Sequence, residues 1–293
     1  MAQEPSKNIK RGEKVANIPP LTHATQTTTS KPVPALFFTV TDSISRKHLE
    51  TVKEVLKSST NDSIYLVVKS FGGDVYSAVR IIKHLRHLYP KVVGVLPNFA
   101  YSAASLMLFG TDKILVSPDG NIGPIDIPLE HQSGESISSL DLTNAITTLA
   151  GLVSSQALTF YEKIRGSKSG MTDTISKQIA LETSWKAAVD LITPLTNQID
   201  PILLQKSYRD LKIGIYYGTD LLNLGMVKGY TKAKNTAEYF ATSFPSHNFA
   251  IFREDMRIFG LTVENLENSQ DEKKLIELYN NNSGIKFVKD IYE

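Results

Sequence analysis

Two short stretches hold the residues that could do chemistry in this chain. Ser70-Phe71-Gly72-Gly73-Asp74 follows the apolar run Ile64–Val68, and Ala100-Tyr101-Ser102-Ala103-Ala104-Ser105 follows Val92–Leu96. Each sits where a strand hands over to a helix. Glycines at such a place let the backbone approach a ligand closely and adopt positive φ. Their N–H groups, at the start of a helix, favour negative charge, and a tetrahedral oxyanion is such a charge. Ser102 stands at the head of the second helix, and its small neighbours Ala103 and Ala104 leave room for a substrate. The Ala103 N–H is placed to join the same oxyanion site. Taken singly, a glycine pair is an ordinary tight turn and a serine an ordinary helix cap. Taken together they form an oxyanion hole (Gly72, Gly73, Ala103) facing a serine nucleophile, Ser102. Ser105 is the rival hydroxyl, and its spacing turns it toward the helix body.

The elements that position these residues alternate. Ala35–Val40 reads as a strand, and Asp42 and Ser43 can cap a helix running to about Lys57. Ile64–Val68 is apolar on both faces, as in a strand covered on both sides. Val75, Val79, Ile82, Leu85 and Tyr89 fall at helical spacing, and Pro90 ends that helix. Val92–Leu96, a short helix from Ser102 to about Phe109 with Gly110 as its cap, and the strand Lys113–Val116 follow. The alternation predicts an α/β fold with right-handed crossovers and a mostly parallel sheet, and open α/β sheets place their sites at the strand ends where these turns lie.

Beyond Ser117-Pro118-Asp119-Gly120-Asn121 the pattern is less regular. Residues 138–165 and 179–199 read as helical, as does Pro201 to about Leu211, with a short helix at Thr219–Leu224 and another at about Arg253–Phe259. Residues 1–33, rich in Thr, Pro, Lys and Gln, read as a flexible tail. Residues 34–265 form the main domain, and residues 266–293 a polar C-terminal extension.

The 293 residues, 41% hydrophobic, suffice for a substantial core. With 32 basic against 30 acidic residues, the net charge of +2 points to neither nucleic acid nor a membrane surface as a partner. The absence of cysteine excludes disulfides, thiolate nucleophiles and cysteine-ligated zinc. No apolar run reaches the length of a membrane span, and no P-loop or His-Glu-x-x-His motif occurs. The expectation is a cytoplasmic protein without metal or cofactor.

The stretch from about Ile64 to Ile127 resembles the Clp protease proteolytic subunit and the signal peptide peptidase A family. It is most similar to their relative, the serine dehydrogenase proteinase family of Clp-fold serine proteinases. The resemblance rests on Ser70-Phe71-Gly72-Gly73-Asp74, on Tyr101-Ser102-Ala103-Ala104 and on Pro118-Asp119-Gly120-Asn121-Ile122-Gly123-Pro124-Ile125-Asp126. A weaker match runs from Pro245-Ser246-His247-Asn248-Phe249 through Gly260-Leu261. It implies a Clp/crotonase-like ββα superhelical spiral, a Ser102 nucleophile, an oxyanion hole from the Gly73 and Ala103 amides, a peptide or protein substrate and a homo-oligomer.

The general base is where this sequence departs from its relatives. The histidine that Clp subunits use would fall near Ile125-Asp126, where there is none; His131 lies a few residues on. The signal peptide peptidase branch uses a lysine, which serves as a base once burial favours its neutral form. After Lys113, the first lysine downstream of Ser102 is Lys163, which is therefore the expected base. His247 is a further candidate but reads as a capping or loop histidine. Three readings follow: a serine peptidase acting through a Ser102 acyl-enzyme, a non-catalytic assembly or binding protein on the same fold, and a crotonase-type acyl-CoA enzyme, against which Tyr101-Ser102-Ala103 argues.

Overall fold

The computed structural model describes residues 32–59, 61–130, 136–166 and 175–293. The chain opens with β1 (Ala35–Val40), α1 (Arg46–Val55), β2 (Ser63–Ser70), α2 (Val75–Leu88) and β3 (Lys91–Leu96). It continues with β4 (Phe99–Ala100), α3 (Ala103–Phe109), β5 (Lys113–Val116), β6 (Asn121–Ile122) and a hairpin, β7 (Pro128–Glu130) and β8 (Ser136–Ser138). Three long helices follow: α4 (Ser139–Gly166), α5 (Lys177–Thr196) and α6 (Pro201–Leu224). Then come α7 (Tyr230–Thr242), β9 (Ile251–Phe252), α8 (Arg253–Ile258), β10 (Val263–Asn265), α9 (Glu272–Asn281) and β11 (Gly284–Val288). Among the described residues no helix is long and apolar enough to cross a membrane.

The strands make one mostly parallel, curled sheet in the order β10-β5-β3-β2-β4-β6-β9, with β1 on the other edge of β2 and β11 antiparallel to β1. Between the pairs Val67↔Val95 and Ser70↔Ala100 the neighbour of β2 slips by two residues, and the chain passes from β3 to β4. The next strand makes the same slip, from β5 to β6. Successive slips of this kind bend the upper half of the sheet away from the lower half. β4 ends beside β2, where the glycine turn begins, and β6 lies on the far side of β4.

Side chains alternate across each strand, so a strand apolar on both faces needs two covers. Leu36, Phe38, Leu66 and Val68 face the larger core under α1, α2 and α3. Ala35, Phe37, Val67 and Val95 face a second cluster with Leu266, Leu275 and Ile291. Residues 266–293, read from the sequence as a polar extension, supply this second cover and the edge strand β11. Val33, placed in the expected tail, is tied to it as well, because its carbonyl accepts the Ile291 N–H at 2.9 Å. Residues 1–31 lie outside the described residues.

A carboxylate clasps the C-terminal segment to the sheet. Buried Asp271 accepts the Tyr65 hydroxyl at 2.6 Å through one oxygen and the Tyr292 hydroxyl through the other. Burial first, then the hydrogen bond that it donates to Asp271, pushes the Tyr65 phenol well above its ordinary range, so it stays a neutral donor. Asp271→Ala would leave that donor unsatisfied. We expect a loss of about 2 kcal/mol, read as a Tm about 5 °C lower in a thermal melt.

Candidate active site

β2 and β4 end side by side. Ser70 pairs with Ala100, and the Tyr101 N–H donates to the Ser70 carbonyl at 3.0 Å. Two residues past each strand end stand Gly72 and Ser102, which brings the two turns together. A methyl group on Gly72 would lie 2.7 Å from the Tyr101 carbonyl oxygen, 3.0 Å from Ser102 Cβ and 3.2 Å from the Ala103 nitrogen. The φ of Gly72, +100°, is in addition one that side-chain-bearing residues rarely adopt. Gly72→Ala must therefore push Ser102 and the Ala103 amide apart. The expected result is a loss of about 2 kcal/mol or more of stability and a drop of at least about 100-fold in serine reactivity, checked by melting and by probe-labelling rate on the same sample.

Gly73 (φ +139°) is held from the other side by the loop between β1 and α1. The Ile44 N–H donates to the Gly72 carbonyl at 2.8 Å, and the Asp74 N–H donates to the Ile44 carbonyl at 2.7 Å. Those two bonds use the strand edge that faces the loop. The Gly73 N–H is left on the opposite edge, the edge shared with β4 and Ser102. A methyl group on Gly73 would lie 2.3 Å from the Ile44 nitrogen, so only glycine fits. The Gly72 N–H donates to Ser70 Oγ at 3.2 Å. This corrects one expected role: Gly72 is the spacer that lets Ser102 come close, and it is not a free donor.

Ser102 has φ 52° and ψ −119°, the one positive φ at a non-glycine position among the described residues. A capping serine would have extended backbone and bond a helix N–H. Ser102 has neither feature, for it makes no cap hydrogen bond. The strained geometry costs about 1–3 kcal/mol and is the sharp strand-to-helix elbow on which hydrolases present a nucleophile. Neither the Gly73 nor the Ala103 N–H has a backbone acceptor among the described residues. Ser105 is fully buried, and its hydroxyl is shared between the carbonyls of Ala100 (2.8 Å) and Gly123 (2.9 Å). It is a structural rivet, as its spacing predicts.

The next strand leads to a pairing that the sequence does not show, between Asp126 and the candidate His247. Ala100 pairs with Ile122, the Gly123 N–H donates to the Ala100 carbonyl at 2.9 Å, and Gly123 lies against the Tyr101 ring. On the far side, β6 pairs antiparallel with β9 through Ile122↔Ile251. Asp126 lies four residues after β6, and His247 lies four residues before β9 in a turn. The two side chains meet: His247 Nδ1 lies 2.9 Å from Asp126 Oδ1. Asp126 is only 2% exposed, and its second oxygen accepts the Ser138 hydroxyl. A buried carboxylate needs such partners. A carboxylate only accepts, so Nδ1 carries the ring proton and Nε2 is an acceptor. The segment is fixed from behind by α6, whose Gly214 and Gly218 lie directly against Ile125. At Gly214 an added methyl group would lie 2.6 Å from the Ile125 carbonyl oxygen.

The remaining expected residues lie elsewhere. The hydroxyl of Ser139, at the start of α4, donates to the Ile127 carbonyl, which anchors that end of the helix near the site. Lys163 is in the last turn of α4, roughly 36 Å further along at 1.5 Å per residue. It is exposed to solvent. Among the described residues no hydrogen bond or ion pair ties Lys163 to the Ser102 turn. His131 lies outside the described residues. Next to the cleft, the exposed ring of Phe71 stacks on Phe99 with centroids 4.5 Å apart, giving an apolar bank beside the glycine turn.

Residues 35–122 match the family model described as Clp protease. That span contains Gly72, Gly73, Ser102 and Ala103, and it stops short of Asp126 and His247. Among solved structures, the catalytic domain of the ClpP protease from Plasmodium falciparum is 22% identical, with a TM-score of 0.25, over 29% of this chain and 52% of its own length. The chain thus spans about half of that domain. Two mutant forms of 1510-N, a membrane-bound stomatin-specific protease, are each 15% identical with a TM-score of 0.33. One match covers 52% of this chain and 70% of that one. The other, a complex with a substrate peptide, covers 86% and 99%. No curated protein matches the chain.

Proposed function

We propose that this chain, whose residues 35–122 match the Clp protease family model, is a serine peptidase with Ser102 as nucleophile and His247, oriented by Asp126, as general base. The observation that carries this reading is the strained, uncapped Ser102 beside two amides without backbone acceptors. A binding or scaffold protein would have no use for a serine held at a cost in stability.

In this mechanism Ser102 Oγ attacks the scissile carbonyl and passes its proton to His247 Nε2. The Gly73 and Ala103 N–H groups hold the resulting oxyanion. Asp126 keeps the proton on Nδ1 and balances the imidazolium that forms. Collapse expels the amine, which takes the proton from His247 and leaves an acyl-enzyme on Ser102. A water then gives its proton to His247 and attacks the ester, and a second collapse frees the acid and restores the serine. His247 replaces the expected Lys163 here because it is held by a buried carboxylate one strand away from Ser102.

The test is reaction with a fluorophosphonate, which modifies activated serines. Labelling at Ser102 supports the reading. No labelling of a folded wild-type chain would overturn it and favour the non-catalytic alternative.

A further inference from the structure

His48 occupies the third helical position of α1, where a capping box ordinarily carries Glu or Gln. Its Nδ1 accepts the Ser45 N–H at 3.1 Å and lies 3.2 Å from Ser45 Oγ. A backbone N–H only donates, so in this arrangement Nδ1 is unprotonated and Nε2 holds the proton. Nε2 stands 3.6 Å from Asp42 Oδ1, and the ring meets the edge of Phe38. The residues enclosed by these contacts, 42–45, are the loop whose Ile44 bonds Gly72 and Asp74 and presses on Gly73. One imidazole therefore ties down the loop that backs the proposed oxyanion donor.

We infer that His48 is a positioning residue for the Gly73 amide, acting through the 42–45 loop, and that it loses this role when its ring takes up a second proton. The inference rests on the proposed role of Gly73. With both nitrogens protonated, Nδ1–H and the Ser45 N–H would face each other as two donors with no acceptor between them. The ring must then turn, and the cap of α1 is released. Three other titratable groups line the same cavity: Asp42 on the loop, Lys69 on β2 and the Tyr279 phenol on α9. Asp42 attracts an imidazolium and draws it away from Ser45, while Lys69 repels it. Uptake of that second proton therefore loosens the loop. A Glu or Gln cap would not carry this sensitivity at neutral pH.

The experiment compares wild type, His48→Gln and His48→Ala between about pH 5 and 9, reading the rate of fluorophosphonate labelling at Ser102 and the kcat and KM for a peptide. Glutamine offers Ser45 an acceptor that does not titrate. At about pH 8, His48→Gln should label within about twofold of wild type. Between about pH 8 and pH 5, wild type should lose up to about tenfold more labelling rate than His48→Gln. His48→Ala should label about tenfold more slowly at pH 8 with KM changed less than about twofold, because a misplaced donor fails the transition state and not the bound peptide. A purely structural cap would lower the melting temperature in both variants and leave the pH dependence of wild type and His48→Gln equal. Equal pH dependence in wild type and His48→Gln overturns the inference, and that comparison stands even if the alanine variant fails to fold. A wild type that does not label at Ser102 overturns the peptidase reading and this inference with it. Labelling without the His48 effects overturns this inference alone.

Discussion

Ser102→Ala is expected to abolish fluorophosphonate labelling and to lower peptide hydrolysis by at least about 1,000-fold, with the fold intact. The loss follows from chemistry, since alanine has no oxygen to attack with and every later step passes through the Ser102 ester. The intact fold follows from structure. Ser102 makes no cap hydrogen bond, so its hydroxyl supports nothing that alanine would forfeit. Ser102→Gly separates the two effects further. At φ 52° and ψ −119° a Cβ is strained, and glycine relieves that strain. After the entropy glycine loses on folding, the net gain is about 1 kcal/mol, a rise in Tm of about 2–4 °C. A variant that is inactive and more stable than wild type is the signature of a residue kept for chemistry at the expense of stability. Calorimetry on the three chains measures it. Residual labelling of Ser102→Ala, mapped to another serine, would sink the nucleophile assignment.

The first half of the fold was legible because its physics is local. β1 and β2 are apolar runs bounded by turns, α2 shows its stripe at Val75, Val79, Ile82 and Leu85, and Gly110 ends α3 as its place predicts. The glycine turn and Ser102 were legible for the same reason, as each follows directly from a strand end. What failed to show was whatever depends on distant partners. The sequence splits α6 near Leu211, yet the helix runs unbroken to Leu224 through Gly214 and Gly218. Those glycines are costly to a helix taken alone and are explained only by Ile125 lying against them. Apart from Phe240, α7 carries its buried side on small residues, Ala233, Thr236, Ala237 and Ala241, which give a weak apolar signal. β11 is a short alternating segment whose status as a strand comes from β1 beside it. The first helix is capped by Ser45 and not by Asp42 or Ser43, a shift of a few residues that propensity does not resolve. The pairing of Asp126 with His247, the proposed base, was hidden for a related reason. The two are far apart in sequence, and the strands that bring their segments together, β6 and β9, are two residues long and too short to show any periodicity.

The identity of that base is decided by a set of variants whose expected effects differ by orders of magnitude. His247→Ala should slow hydrolysis about 1,000-fold or more, because Ser102 would then lack a proton acceptor. Asp126→Asn is the sharper probe. It keeps the size of the side chain and its hydrogen bond to Ser138, and it replaces a carboxylate that fixes the Nδ1 proton with an amide that does not. The wrong histidine tautomer and an unbalanced imidazolium predict a loss of about 1,000- to 10,000-fold in kcat, with little change in KM. Asp126→Ala is the weaker choice, since it strands the Ser138 hydroxyl in a buried site and confuses stability with chemistry. Lys163→Ala should stay within about twofold of wild type, because Lys163 is exposed near the far end of α4. The Clp pattern calls for a histidine near Ile125-Asp126. Here that region supplies the carboxylate, and the imidazole arrives from the turn that precedes β9, so the same two kinds of group meet with their places on the chain exchanged. Hydrolysis lost in Lys163→Ala and retained in His247→Ala would overturn that exchange and return the role to a lysine.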